Sequence, residues 1–118
     1  MKVLALLIAA CGLLFAGGAR SQILNELANS PVSRFSPEDN RLFLAAIDKA
    51  LSDNADGAPL AWQNDKTPAR GNVTPQRSFE SGGMRCRDLL IANRYGSRTS
   101  QSVHTFCRDA AGAWKLRS

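Results

Sequence analysis

The sequence predicts an α+β domain: an N-terminal amphipathic helix packed on a small antiparallel sheet of four to five strands, with one cross-strand disulfide. Three observations carry this. A capped run with helical periodicity begins at Ser36. After Ala58 apolar residues alternate instead, and glycine-bearing turns separate the short runs. Cys86 and Cys107 stand symmetrically about the Gly96-Ser97 turn. A helix followed by hairpins, rather than alternating with strands, is the pattern of a segregated α+β fold.

Residues 1–21 read as a secretory signal peptide. Met1-Lys2 supplies a cation, Val3 to Ala16 carries no charge, and Gly17-Gly18-Ala19 provides the small residues a peptidase needs. The apolar run is short for a permanent membrane span. Cleavage fits after Ala19 or Ser21. A second fate is open, because Ile8-Ala9-Ala10-Cys11 resembles a lipobox, in which Cys11 is acylated and becomes the first mature residue. Against that, Gly12-Leu13-Leu14-Phe15 continues apolar where a polar tether would follow. Ordinary cleavage discards Cys11 and leaves an even cysteine count in an oxidising compartment.

Residues 22–35 place Ile23, Leu24, Leu27 and Ala28 at helical spacing before Ser30-Pro31 ends the run, which makes a spacer or a short docking helix. The domain proper spans 36–118. Ser36 can cap, Pro37 suits the first helical position, and Glu38 and Asp39 favour the positive end of the helix dipole. Phe43, Ile47, Ala50 and Leu51 form one stripe, so the helix runs from Pro37 to Leu51 or Ser52 and ends in the polar stretch 52–57.

A first strand covers Leu60 to Asn64, and 65–71 forms a loop. The second strand, Asn72 to Glu80, puts Val73, Pro75, Arg77 and Phe79 on one parity, with Pro75 marking an edge or a bulge. Ser81-Gly82-Gly83 turns into a third strand from Met84 to Asn93, residues 94–98 turn again, and a fourth runs from Thr99 to Arg108. A short last strand, Ala113 to Arg117, shows Trp114 and Leu116 on one face.

Pairing the third and fourth strands about Gly96-Ser97 sets Cys86 opposite Cys107, Asp88 opposite Thr105 and Leu90 opposite Val103. Paired Cα atoms in a non-hydrogen-bonded site lie about 4.5 Å apart, close to what a disulfide accepts. Closing this 22-residue loop contributes about 3 kcal/mol in the chain-entropy model. A metal site on Cys86, Cys107 and His104 would lack the four ligands of structural zinc, since no second histidine or further mature cysteine exists, so no metal is expected.

The net charge of +5 is uneven: Arg20 to Gly57 carries −2, and Ala58 to Ser118 carries +6. Arg85, Arg87, Arg94, Arg98 and Arg108 gather around the hairpin as candidate anion-binding residues, and the alternative is a solvated basic face. Export separates the protein from nucleic acid. Outer membrane or other envelope components remain as partners: an anionic glycan, a lipid phosphate or an acidic protein. His104 is the only histidine, no Gly-x-Ser-x-Gly elbow occurs, and acids sit mainly on the helix and its terminator, so neither catalysis nor a cofactor is expected.

The ordered set Trp62-Gln63-Asn64, Gly71-Asn72-Val73-Thr74-Pro75, Cys86-Arg87-Asp88, Cys107-Arg108 and Gly112-Ala113-Trp114 resembles the C-terminal domain of the bacterial surface antigen family typified by the rickettsial 17-kilodalton surface antigen. The resemblance covers Pro37 to Arg117. It implies an exported protein of the outer membrane or periplasm with a disulfide in the same place. Members are commonly lipoproteins, and many carry a glycine zipper before this domain; this sequence has no glycine-rich repeat there. The family brings no established catalytic residues. Two functions are compatible: a structural or interaction protein of the envelope, or a small periplasmic binding or inhibitor module presenting the basic hairpin.

Overall fold

Ser36 starts the helix as its side chain dictates. Its hydroxyl accepts from the Asp39 N–H while the Asp39 carboxylate accepts from the Ser36 N–H, a reciprocal box that satisfies two orphan donors. The computed structural model describes residues 22–117, and this helix, α1, spans Pro37–Asp53. Phe43, Leu44, Ala46, Ile47, Ala50 and Leu51 are buried along its inner face. Its last turn has no basic residue of its own to answer the free carbonyls, a need met from the sheet.

Five strands follow in sequential antiparallel order: β1 Leu60–Gln63, β2 Ala69–Ser81, β3 Met84–Tyr95, β4 Arg98–Arg108 and β5 Trp114–Arg117. The long strands β3 and β4 meet at a tight Gly96-Ser97 turn, with Gly96 at φ 64°. Residues 94, 95 and 98 therefore belong to strands rather than to the turn expected from sequence. Ala69, Arg70 and Gly71 likewise sit in β2, not in a loop, because they pair with Tyr95, Arg94 and Asn93. Only backbone partners contributed by β3 could show this.

The second strand corrects another expectation. Val73 pairs with Ile91 and Pro75 with Leu89, but the register shifts after Pro75, so Arg77 pairs with Asp88 and Phe79 with Cys86. The unpaired Gln76 is a β-bulge, and such an insertion moves every later side chain to the other face. Val73 and Pro75 are buried on the helix side, whereas Arg77 and Phe79 lie on the opposite side. Pro75 itself lies past the end of β1, where its missing N–H costs the ladder nothing.

Residues 22–26 are helical and Pro31–Arg34 form a 3₁₀ turn, and Ile23, Leu27 and Val32 are buried in the core. The 22–35 stretch is thus docked on the sheet. Phe35 follows it into an aromatic cluster, 6.0 Å from Phe43 and 5.4 Å from Trp62 between ring centroids. Cys86 and Cys107 form the disulfide, with Cα atoms 4.0 Å apart. Residues 1–21, which the sequence reads as a signal peptide, and with them Cys11, lie outside the described residues. No helix among those described is long and apolar enough to cross a membrane.

Candidate functional site

The sheet has one covered and one open face, and strand alternation decides which side chains go where. Facing α1 and the N-terminal segment are Trp62, Ala69, Val73, Leu89, Ile91 and Phe106, all buried. On the open face, successive cross-strand rows read Gln63–Arg70–Arg94–Thr99, Ala61–Asn72–Ala92–Gln101, Thr74–Leu90–Val103, Arg77–Asp88–Thr105–Arg117 and Phe79–Cys86–Cys107–Lys115.

The five arginines proposed from sequence do not form one cluster. Arg87 turns toward the helix. Its Nη1 donates to the Ala50 and Leu51 carbonyls at 3.1 and 2.9 Å, its Nη2 to the Asn54 carbonyl and Asp56 at 2.8 and 2.7 Å, and its Nε to Ser78 at 2.9 Å. All five guanidinium donors are spent, three of them on carbonyls at the C-terminus of α1, and the negative end of the helix dipole favours that cation. The hydrogen bond from Arg87, helped by that from Ser78, outweighs the opposing effect of burial and holds the Asp56 carboxyl below its ordinary value. Arg85 and Arg108 face each other across β3 and β4 beyond that helix end, with Glu80 opposite Arg85 on β2. The Arg108 guanidinium lies 5.8 Å over the Trp114 ring. Arg94 and Arg98 stand at the other end of the hairpin and point to opposite faces.

Several polar and titratable side chains are internal ties. Asp39, fully buried, accepts from Asn64 Nδ2 and Thr67 Oγ1, each at 2.7 Å, and so pins the β1–β2 loop to the start of α1. Burial alone would raise its carboxyl, but the hydrogen bonds from Thr67, Ser36 and Asn64 outweigh that and hold it below the ordinary value. Asp88 is held low first by its bond from Thr105, at 2.6 Å, and also by Arg77 at 2.7 Å. The cysteine sulfurs are joined to each other and are not thiolate ligands. His104 Nε2 lies 2.8 Å from Ser102 Oγ, and burial lowers its pKa against the attraction of Glu26.

On the open face, a groove of about 500 Å³ runs across β1 to β4, with Ala61 and Ala92 as low points. Gln63, Asn72 and Gln101 supply amides along it, and Arg70 and Arg94 face each other across β2 and β3. The Arg70 side chain has no hydrogen-bond or ion-pair partner among the described residues, and Arg94 uses only Nε, to the Gly96 carbonyl. Trp62, Gly71 and Asn93 also border this groove. Trp62 Nε1 and both polar atoms of the Asn93 amide are buried without a hydrogen-bond partner among the described residues. Both crowd Gly71, where a Cβ would lie 2.6 Å from Asn93 Oδ1 and 3.0 Å from Trp62 Nε1. Arg70, Asn72 and Gln101 escaped sequence reasoning because only the strand register brings them together.

A meander stapled across its central hairpin, closed on one face by a helix and open on the other, defines a small disulfide-linked scaffold domain. The family model described as 17 kDa outer membrane surface antigen matches residues 49–115, and the chain belongs to that family. It is 26% identical over 80 residues to the 17 kDa surface antigen of Rickettsia prowazekii (strain Madrid E), covering 67% of this chain and 50% of that protein. It is also 26% identical over 106 residues to the 17 kDa surface antigen of Rickettsia bellii (strain RML369-C), covering 89% of this chain and 67% of that protein. The chain therefore spans about half the length of the Rickettsia prowazekii relative. No solved structure matches it.

Proposed function

We propose that the protein is an exported component of the cell envelope, in the outer membrane or periplasm, that acts by contact and performs no catalysis of its own. The open sheet face carries the reading. A domain that buries one face of its sheet and leaves the other exposed, with polar and basic side chains in ordered rows, is shaped for a partner. Membership of a surface antigen family supports the envelope location.

The test is fractionation of cells expressing the full chain, combined with labelling by a membrane-impermeant amine reagent. Recovery with envelope fractions supports the reading, and recovery with cytoplasmic markers overturns it. Metabolic palmitate labelling, with Cys11→Ser as control, separates a lipid-anchored protein from one released by cleavage.

A further inference from the structure

We infer that the groove on the open sheet face is a binding site for an extended anionic polysaccharide, a sugar chain bearing carboxylate or phosphate groups. This deepens the reading of the chain as an envelope contact protein and rests on it. Charge comes first. Arg70 and Arg94 are directly opposed across two strands, an arrangement that like charges disfavour unless something answers them. Asp65, which lines the adjoining pocket with both arginines, accepts from Gln63 at 2.9 Å and makes no ion pair with either of them. Each guanidinium thus keeps a free fork, the geometry that takes carboxylate or phosphate in two parallel hydrogen bonds.

Shape and hydrogen bonding then select a sugar. Beside the arginines lie the amides of Gln63, Asn72 and Gln101, planar groups that both donate and accept, as sugar hydroxyls do. Ala61 and Ala92, on either side of Asn72 in their row, keep the floor low enough for a sugar ring to settle over each of them. The face continues past Thr74, Leu90 and Val103 to a row in which Arg77 and Arg117 share the single carboxylate of Asp88 and so keep a net positive charge. On β3, that second basic row stands six residues from the first, about 20 Å along the strand. A linear charged polymer can meet both ends, while a compact anion meets one.

The experiment is calorimetric titration of the purified, disulfide-intact full chain with three probes: oligogalacturonate, neutral dextran oligosaccharide and inorganic polyphosphate. Saturable binding of oligogalacturonate and none of neutral dextran is expected. Arg70→Glu with Arg94→Glu should weaken binding at least tenfold, whereas Arg85→Glu with Arg108→Glu, an equal charge change elsewhere, should change it less than twofold. The pair Asn72→Ala and Gln101→Ala should weaken it several-fold without altering charge. Equal loss from both arginine pairs, polyphosphate binding as tight as oligogalacturonate, or no saturable binding would each overturn the inference. Retention of the Arg70→Glu, Arg94→Glu chain in envelope fractions would show that the envelope reading stands even where the polysaccharide site fails.

Discussion

Arg87 and Arg94 lie on the same strand, one facing the helix and the other facing solvent. Arg87 is satisfied at every donor by the end of α1 and its neighbours, while Arg94 makes one bond to its own turn. The difference extends to the two faces they occupy. Where the sheet is covered, a charge survives only by acting as a tie, because an unpaired buried ion is too costly to keep. Where it is open, water carries that cost and side chains remain available. Exposure alone does not make a site, but an exposed cation without a carboxylate has been left uncommitted by the fold.

That contrast can be broken from the covered side first. Phe43→Ala empties the centre of the aromatic cluster and should cost about 4 kcal/mol, read by urea denaturation. Removing the staple with Cys86→Ala and Cys107→Ala should cost about 3 kcal/mol, since the bridge spans 21 positions of chain. Arg87→Ala should cost about 3 kcal/mol by stranding the last carbonyls of α1, and Arg87→Lys should recover little, because a single ammonium cannot reach the same fork of acceptors.

Smaller effects sharpen the comparison. Asp39→Asn should cost about 2 kcal/mol at neutral pH and flatten the acid limb of the stability curve. The sign follows from the lowered carboxyl. The unfolded chain takes up that proton more readily, so the contribution is complete above the unfolded value of about 4 and is lost as pH falls through the folded one. Thermal melts of both proteins from pH 7 down to pH 2 would show the two curves converging. On the open face, Arg70→Ala should stay within about 0.5 kcal/mol of the parent while losing affinity for an anionic polymer.

The helix and the staple were legible because their signals are local. Ser36, Pro37 and Asp39 lie next to the turn they cap, and the symmetry of Cys86 and Cys107 about Gly96-Ser97 needs only a tight hairpin. Arg87 looked like a ligand-binding residue because its partners, Ala50 to Asp56, lie more than thirty positions away. Asn64 and Thr67 hide in the same way, since Asp39 claims them across 25 and 28 positions. The parity of Arg77 and Phe79 was misread because a bulge has no fixed residue signature and simple alternation continues through it. Arg70 and Asn72 read as ordinary loop and strand residues until β3 is laid beside them.

The bulge at Gln76 has a consequence for how β2 tolerates change. The strand carries two reading frames, one before Pro75 and one after Arg77, and Gln76 is the frameshift between them. Deleting that one residue would exchange every later position, swinging Ser78 away from the Arg87 guanidinium it accepts from and Phe79 away from the row of the cysteines. Substitutions at Gln76 should be silent and its loss should not be: the residue's presence is the message, whatever side chain it carries.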